Sequence, residues 1–534
     1  MNMFEVTRQN FDSLFPKIEY AIENADFISI DTEFTGLYYD EHSKPSLFDN
    51  SAERYAKLRY SVQKFTLSQI GLTMFVRNAK DNCYSTQTYH FYLFPFPFGS
   101  YDPRFSVQTS SLEFLKKNSF DFNKWVKQGI PFLNNIQERN LTNEMAAGYL
   151  FSGLNNDDET ELQSLCSKVA AWLPNSKVGD ILTLSLPKGS ESSYVYHTDL
   201  RMRFAHIWTS SNPFDQIVVE HVDKVKRQLL ERENHSSHQE YQKQQIIQLL
   251  GFTRVFRLLQ ISQKPVVGHN LLMDLIFMYD KFHNPLPDSY AKFKQDIHKM
   301  FPSIFDTKHI HYCIKRFLES ALLFTTGNLK ELYDGINQNT TILAMLQPKI
   351  KHTESGDFPE ASFPHQAGYD SYMCGVVFLR LCHFLHFQES GSSHFKPCSF
   401  KDYLVTMKKF KNSVNLIRAM VSHIKLDGEE VLSLRPPLIF VQSTKAGTRL
   451  ISQQLAAWFS MYGQVDIQMM NSREAIVAAT NFHCAREIIS AFRQHPLIKV
   501  SKYRFWEHSK LGQRILWGSL AIATVSGLVL LYNA

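Results

Sequence analysis

Two acidic residues separated by one threonine stand at the end of an apolar stretch, in the segment FISIDTEFTG at residues 27–36. On a β-strand, residues i and i+2 point to the same face, so Asp31 and Glu33 face one point while Thr32 faces the other way. Two carboxylates held together repel unless one is protonated or a cation lies between them. Their oxygens suit a hard divalent ion such as Mg²⁺, although a solvated strand end or ordinary salt bridges would also explain this pair.

Two further acidic residues occur in segments predicted to lead into helices. Asp274 closes GHNLLMD on the first turns of a predicted helix, and Asp370 lies in HQAGYDSYMCG, five residues after His365. Three acidic segments with a histidine at that spacing form the D-E-D-D-h pattern. In order, spacing and flanking residues, the chain resembles the DEDDh 3′–5′ exonucleases, and among them the poly(A)-specific ribonuclease (PARN) family.

The resemblance covers nearly all of residues 20–425, through the segments DTEFTGL, FNKWVKQGIPFLN, GHNLLMD, FPSIFDTK and HQAGYDSYMCG in the family's order. It implies an α/β fold with an RNase H-like DEDD exonuclease domain, in which a mixed sheet is flanked by helices. It also implies two-metal hydrolysis with two Mg²⁺ ions, or Mn²⁺ in their place. The candidate metal ligands are Asp31, Glu33, Asp274 and Asp370, and the candidate general base is His365.

The same resemblance implies a pocket for the 3′-terminal nucleotides, where aromatic rings stack on bases and a lysine pairs with phosphate. Core packing explains each phenylalanine equally well in a chain with 42 of them, and a surface ion pair with Asp306 would also explain Lys308. His269 and Asn270 are expected to fix the turn before Asp274. Asn270 could also contact the substrate. The candidate substrate-binding residues are Phe34, Leu37, Ser111, Phe114, Phe122, Asn270 and Lys308.

Changes in sequence texture divide the 534 residues into several domains. Alternating strands and helices stop near residue 146 and resume near 250, which predicts a discontinuous nuclease domain over 1–145 and 246–425. The polar residues 146–245 are predicted to form an inserted small α+β module and a linker or exposed helix. Over 430–508 the order βαββαβ is that of an RRM-like domain.

Both accessory regions depart from RNA-binding patterns. The family's insert carries an Arg and a His with three residues between them, whereas Arg201 and His206 here are separated by four, which predicts a degenerate nucleic-acid binder. The RRM-like domain has EAIVAAT where an RNA-binding domain would place a basic residue and stacking aromatics. Phe440, on its first predicted strand, is its one well-placed aromatic. A structural or protein-binding role is therefore favoured over RNA binding.

The C-terminal segment from Ile515 to Tyr532 contains no charged residue. Its length predicts a transmembrane helix over 515–532, with a buried core helix as the alternative. Basic residues before it, including Lys510 and Arg514, predict a membrane-anchored protein that faces the cytosol. The mitochondrial outer membrane is favoured, with the endoplasmic reticulum as the alternative.

These features together predict an organelle-anchored, Mg²⁺-dependent 3′–5′ exoribonuclease that trims the 3′ ends of single-stranded RNA and releases 5′-nucleotides. The anchor points, within the family, to members that trim precursors of PIWI-interacting RNAs. That resemblance implies RNA bound to a PIWI protein as substrate and a Tudor-domain adaptor as partner, and it leaves a homodimer open. The alternatives are a general poly(A) mRNA deadenylase and a catalytically silent, membrane-bound RNA-binding scaffold.

Overall fold

The computed structural model describes residues 4–78, 80–97, 101–146, 156–185, 193–212, 216–322, 327–337, 346–352, 365–390, 397–445 and 449–532. Its strands are β1 Phe4–Val6, β2 Phe27–Phe34, β3 Leu67–Asn78, β4 Cys83–Tyr92, β5 Ile181–Ser185, β6 Ile207–Ser211, β7 Gln216–His221, β8 Val266–Gly268, β9 Ile304–Asp306, β10 Lys349–His352, β11 Ser413–Asn415, β12 His423–Lys425, β13 Ile439–Ser443, β14 Val465–Asn471, β15 Glu474–Ala479 and β16 Ile498–Lys502.

Its helices are α1 Phe11–Asn24, α2 Ser51–Val62, α3 Thr109–Lys117, α4 Phe122–Gln128, α5 Asn135–Ala146, α6 Asn156–Trp172, α7 Ser193–Arg203, α8 Lys224–Leu250, α9 Phe252–Ser262, α10 Leu272–Met278, α11 Tyr290–Met300, α12 Thr307–Leu322, α13 Leu329–Asn337, α14 Ala367–Ser390, α15 Phe400–Met407, α16 Ser452–Ser460, α17 Phe482–Ala491, α18 Phe505–His508 and α19 Lys510–Tyr532.

The largest sheet is mixed and has the strand order β1-β4-β3-β2-β8-β9-β11-β12, with β10 paired to β4. Helices pack on both faces of its central strand β2. Ile28 lies in a core with Leu275 of α10, whereas the neighbouring Phe27 lies in a second core with Phe378 of α14. This arrangement confirms the predicted mixed α/β fold. We call this sheet, with α1–α5 and α8–α15, the main unit.

Strand β2 continues through the acidic pair, although the apolar pattern predicted a strand that ends there. Asp31 is paired with Gly71 and Glu33 with Gln69 on the antiparallel strand β3. The register then shifts between Glu33 and Phe34, as at a β-bulge. Because both acidic residues belong to a paired strand, the backbone ladder fixes the positions of their Cα atoms.

Helix α14 lies directly against β2 and β3 because two glycines leave room for it. A Cβ atom at Gly71 would lie 1.9 Å from the carbonyl oxygen of Ala367, and one at Gly375 would lie 2.1 Å from the ring of Phe75. The side chains of residues 376–379 are at most 2% exposed. Apolar burial therefore holds the helix on the sheet, and the glycines set how closely it approaches.

The insert, residues 156–221, contains a small antiparallel sheet with the order β5-β7-β6, and its own core includes residues of α6 and α7. Residues 231–245, predicted as a linker or exposed helix, lie within the long helix α8 that returns to the main unit. The guanidinium of Arg201 lies 3.7 Å from the ring centroid of Trp208, and its Nε donates to Thr209 Oγ1 at 2.8 Å. Arg201 therefore serves the packing of the insert itself.

Residues 439–502 form a C-terminal unit in which the predicted order of strands and helices is observed. Its antiparallel sheet has the order β14-β15-β13-β16. Phe440 on β13 is 6% exposed, because its ring is stacked on His508 of α18 at 4.1 Å between centroids. The one well-placed aromatic is thus covered from within the chain. The RRM-like assignment, and the limits predicted for the nuclease domain, insert and RRM-like domain, stay predictions.

The predicted membrane anchor is wrong. Residues 515–532 belong to α19, but the side chains from residue 527 onward lie outside the described residues. No helix in the described part of the chain is long and apolar enough to cross a membrane. The membrane-bound localisation predicted from this segment is therefore wrong as well.

The contact between α14 and β3 gives a test of the scaffold. We expect Gly71→Ala to lower the free energy of unfolding by about 1–3 kcal/mol, because the new methyl group meets backbone atoms that cannot rotate away. Gly518→Ala is the control, since no atom lies within 4 Å of a Cβ at that position. Chemical denaturation monitored by circular dichroism measures both. Equal stability of the two variants would contradict the close approach of α14.

Candidate active site

The structure brings together three of the four predicted acidic ligands. Asp31 and Glu33 on β2 and Asp370 on the first turn of α14 each offer a carboxylate oxygen, and these oxygens all lie within 4.8 Å of one another. Asp370 is 8% exposed, while the other two are partly exposed. Carboxylates this close to one another form a compact set of hard oxygen ligands suited to Mg²⁺ or Mn²⁺.

Asp274, the fourth predicted ligand, lies beside this cluster but is held by a different neighbour. It is 7% exposed on the first turn of α10, and its Oδ1 accepts a short hydrogen bond from the hydroxyl of Thr32. Its charge nevertheless raises the pKa of both Asp31 and Glu33. Asp274 is therefore close enough to interact electrostatically with the cluster.

Loss of solvent raises the pKa of every carboxyl group in this set. Burial, then Asp370 and Asp274, raise the pKa of Asp31 and Glu33 well above their ordinary values. Burial also raises the pKa of Asp274 and Asp370 to about 7, against the opposing hydrogen bonds from Thr32 and from the backbone of His365. Buried carboxylates with like-charged neighbours favour either protonation or a bound cation. The donor set thus fits a divalent metal.

His365 reaches the cluster through its backbone. It has a left-handed conformation, φ 65°, and its N–H donates to both oxygens of Asp370 at 3.3 and 3.2 Å. Its ring contacts the exposed ring of Phe114 edge to face, with centroids 4.8 Å apart. Partial burial lowers the pKa of His365 below its ordinary value, so the imidazole is neutral at neutral pH.

Buried polar groups fix the first turn of α14, and sequence analysis missed them. His90 on β4 is 4% exposed, and its Nδ1 accepts a hydrogen bond from the N–H of Gly368 at 3.1 Å. Burial lowers the pKa of His90 to about 4, so the ring stays neutral and able to accept. The hydroxyls of Thr73 and Ser371 lie 2.8 Å apart. These contacts position Asp370 over β2 and β3.

Asp306 is a second positioning residue that sequence analysis missed. Its carboxylate is fully buried at the end of β9 and accepts five backbone N–H groups at 2.9–3.3 Å. The donors come from three segments: the turn before α10, the start of α12, and β11. They are Asn270, Leu271, Lys308, His309 and Asn415. The segment FPSIFDTK drew attention to Lys308, but only the fold shows what its aspartate does.

Asn270 and Lys308, predicted to bind substrate, lie on either side of this carboxylate. Asn270 has φ 67°, as expected for a residue that forms a turn, and its Oδ1 accepts from Asn415 Nδ2 at 2.8 Å. The Lys308 ammonium donates to the carbonyl of Gly327 at 2.9 Å, so its side chain does not form the simple surface pair with Asp306 that sequence left open. His269 also contacts this carbonyl, at 3.1 Å from Nε2.

The remaining predicted substrate residues lie in two places. Phe34 stacks on Phe277 of α10, and Leu37 follows it, 37% exposed. Gln108 joins the segment of Leu37 to the start of α3. Its side-chain Oε1 accepts a hydrogen bond from the N–H of Leu37, and its backbone carbonyl accepts one from the N–H of Ser111.

Phe122 stands apart from these residues. It packs against Phe120 at the start of α4, with ring centroids 4.8 Å apart. Phe120 in turn contacts Tyr92 and Trp125, so the ring contacts of Phe122 belong to an aromatic cluster beside β4. Of the phenylalanines predicted to bind nucleotides, Phe114 is the one whose ring contacts His365.

The chain is similar in sequence to known ribonucleases. The profile of the CAF1 family of ribonucleases matches residues 6–378. The chain is 34% identical to the mouse (Mus musculus) poly(A)-specific ribonuclease PNLDC1, over 95% of this chain and 94% of that protein. It is 29% identical to the pre-piRNA 3′-exonuclease trimmer of Bombyx mori, over 99% and 98%. It is 30% identical to the human (Homo sapiens) poly(A)-specific ribonuclease PARN, over 89% and 76%.

The carboxylate cluster predicts a stabilisation by metal that depends on pH. Folding raises the pKa values of these carboxyl groups, so their protonated forms add to the free energy of unfolding at low pH. This contribution is complete below the unfolded-state pKa values of about 4, and it is lost as pH rises through the folded-state value of about 7 for Asp274 and Asp370. A bound cation offsets that loss. We therefore expect millimolar Mg²⁺ to raise the Tm, and more so at pH 8 than at pH 6, in differential scanning fluorimetry.

Two variants locate this effect. Asp31→Asn should lose most of the increase in Tm, because it removes one charged ligand. Asp12→Asn, whose carboxylate is 66% exposed and paired with Arg254, should keep the full increase. An identical increase in both variants and in the wild type would contradict metal binding at this cluster.

Removal of the Asp306 charge should destabilise the site from a distance. We expect Asp306→Asn to lower the free energy of unfolding by about 2–4 kcal/mol, because the amide NH₂ group faces buried N–H donors. Asp288→Asn, at a carboxylate 90% exposed, should change it by less than about 0.5 kcal/mol. Urea denaturation measures both. A neutral Asp306→Asn would show that the five N–H groups do not depend on the carboxylate.

Proposed function

The chain belongs to the CAF1 family of ribonucleases and is a 3′–5′ exoribonuclease, and from this premise we propose that it trims the 3′ ends of precursors of PIWI-interacting RNAs. The observation that carries the proposed chemistry is the cluster of Asp31, Glu33 and Asp370, whose ligand oxygens lie within 4.8 Å of one another. The near full-length similarity to the Bombyx trimmer supports the substrate. Family membership also favours an enzyme over the silent scaffold.

The proposed reaction is hydrolysis of the last phosphodiester bond. Asp31, Glu33, Asp274 and Asp370 would hold two Mg²⁺ ions. Such ions, when bound, would supply the charge that activates water and stabilises the leaving 3′-oxygen. The fold positions the residues that would hold these ions. The β2 backbone fixes Asp31 and Glu33, and the first turn of α14 brings Asp370 next to them.

His365 is the proposed general base. Its neutral ring can accept the proton of the attacking water at a ring nitrogen, as the oxygen–phosphorus bond forms and the bond from phosphorus to the 3′-oxygen breaks. Contact with Phe114 restricts the ring, and the backbone hydrogen bonds to Asp370 restrict the residue. The water oxygen ends on the released 5′-nucleotide. The leaving 3′-oxygen takes a proton from solvent and becomes the 3′-hydroxyl of the shortened RNA, while the His365 imidazolium returns its proton to solvent.

The 3′-terminal nucleotides are proposed to lie between Phe114, Leu37 and Asn270. Leu37 and Phe114 are exposed at 37% and 42%, which leaves their surfaces free to contact a base. Asn270 presents an amide held by Asn415 and would bind polar atoms of the nucleotide. Phe34, Ser111, Phe122 and Lys308 complete the proposed set, with Phe34 and Phe122 acting through packing on their aromatic neighbours.

A general poly(A) deadenylase is the second candidate, because relatives at 34% and 30% identity are named poly(A)-specific ribonucleases. A PIWI-bound substrate, a Tudor-domain adaptor and a homodimer remain proposals that rest on the similarity to the trimmer. The covered Phe440 and the internally engaged Arg201 support the proposal that neither accessory region binds RNA through the surface typical of its class.

Variants of the acidic cluster test the chemistry. We expect Glu33→Gln and Asp370→Asn each to lower kcat on a 5′-labelled single-stranded RNA by on the order of 10³-fold, because each removes a charged ligand worth several kcal/mol in the transition state. Asp288→Asn should keep wild-type kcat. Retained activity in either cluster variant, with normal folding by circular dichroism, would contradict the proposed mechanism.

The substrate is tested with three RNAs of equal length: oligo(A), a mixed sequence, and the mixed sequence bound to a PIWI protein. The trimming proposal expects similar kcat/KM on the two free RNAs and faster shortening of the bound RNA. A strong preference for oligo(A), without stimulation by the bound RNA, would favour the deadenylase instead.

A further inference from the structure

A cleft of about 340 Å³ lies between the main unit and the C-terminal unit. The main unit contributes residues of α12 and the segment after β11, and the C-terminal unit contributes Gln464 and Thr480. Polar contacts join the walls, and one of them runs from Arg418 Nη1 to Gln464 Oε1 at 3.4 Å. Leu47 N donates to Asp466 Oδ2 at 2.6 Å, Arg418 is ion-paired with Asp466, and Arg435 Nη1 donates to the carbonyl of Thr480 at 3.1 Å.

Cations dominate the lining of this cleft. Lys308, Lys315, Arg418 and Arg435 line it, and no carboxylate occurs among the described residues that do so. Asp466 offsets the charge of Arg418. The partner of Lys315 is Glu319, at 3.5 Å in an exposed pair that contributes little. A concave surface lined by one sign of charge concentrates anions.

Two residues of α12 with ring side chains, Tyr312 and His311, line this cleft. Tyr312 lines the cleft and is 60% exposed, so one face of its ring is available for stacking. His311 beside it is 4% exposed, and its Nε2 has no hydrogen-bond partner within the described part of the chain. Burial, with Lys315 and Lys308 nearby, lowers the pKa of His311 to about 4, which agrees with a positive local potential.

The cleft begins where the proposed nucleotide pocket ends. Lys308 and Asn415 line the cleft, and Asn415 also donates to Asn270, four residues before Asp274. An extended strand whose 3′ end lies at the carboxylates would thus pass the Lys308 ammonium and enter the cleft. Single-stranded nucleic acid binds without sequence preference to cationic grooves that carry aromatic rings, and this cleft offers the exposed ring of Tyr312 beside its cations.

We propose that this cleft binds the single-stranded RNA just upstream of the 3′-terminal nucleotides, with Tyr312 stacked on a base and Lys315 and Arg435 paired with phosphates. The inference rests on the proposed exoribonuclease function, and it adds a path for the body of the substrate. In this proposal the C-terminal unit contacts the RNA through Gln464 and Thr480, which form one wall of the cleft. Its sheet face around Phe440 is covered by His508 and does not take part.

The test compares two RNA lengths on the full chain. A trinucleotide fills the pocket alone, whereas a 20-nucleotide RNA of mixed sequence also reaches the cleft. The double variant Tyr312→Ala/Lys315→Gln should raise KM for the long RNA about tenfold and leave kcat/KM for the trinucleotide unchanged. Fluorescence anisotropy with the long RNA in EDTA should show the same tenfold rise in Kd, and the slope of log Kd against log salt should fall by about 0.7.

Matched controls lie outside the cleft. Lys292, like Lys315, is ion-paired with an acidic residue four positions on in its own helix, and its side chain is 56% exposed. Tyr20 is 67% exposed on α1. The variant Tyr20→Ala/Lys292→Gln removes the same groups and should leave KM, Kd and the salt slope unchanged. The same loss in this control would overturn the proposal, because it would show a general effect of surface charge.

The remaining outcomes also decide. An equal loss on both RNA lengths would place the effect in the pocket and overturn the proposed path. No change in Kd or KM for the long RNA would also overturn the proposed path. If the wild type hydrolyses neither RNA, the proposed function fails, while the anisotropy measurement still supports or rejects the cleft.

Discussion

Three carboxylates whose oxygens lie within 4.8 Å of one another repel, and the fold must hold them there. It does so by pressing a largely apolar helix against a sheet. The side chains in the middle of α14 are almost completely removed from water, and the glycines at positions 71 and 375 allow helix and strand to meet at the distance of backbone contact. Hydrophobic burial over the length of the helix thus opposes electrostatic repulsion at its first turn.

Buried hydrogen bonds give this arrangement its precision. The His90 ring accepts a hydrogen bond from the backbone at the start of α14. Through its hydrogen bonds, the Asp306 carboxylate joins the turn before α10, the start of α12 and the end of β11. Either group would be costly to bury without hydrogen-bond partners. The His90 ring accepts one backbone N–H, whereas the Asp306 carboxylate accepts five from three segments. The elements that carry Asp274, Asn270 and Lys308 are therefore positioned by one carboxylate that does not belong to the metal cluster.

The sequence predicted what depends on local pattern. The i, i+2 spacing of Asp31 and Glu33 predicted that both lie on one face of β2, and their oxygens are close together in the structure. The segment with Asp370 was predicted to lead into a helix, and the structure places Asp370 on the first turn of α14. Asp306 and His90 were missed because their partners lie as far as 109 and 278 residues away in the chain. Asp274 was expected among the other carboxylates, but its bond to Thr32 depends on how α10 crosses β2. The anchor failed because an uncharged run does not by itself establish a span.

The central claim is that the acidic cluster shares divalent cations, and anomalous diffraction from crystals grown with Mn²⁺ tests it most directly. The account predicts two peaks about 3.5–4 Å apart, bounded by Asp31, Glu33, Asp274 and Asp370. Both peaks should weaken or vanish in crystals of Asp370→Asn. Ordered crystals without anomalous density among these carboxylates, at Mn²⁺ concentrations that support hydrolysis, would contradict it.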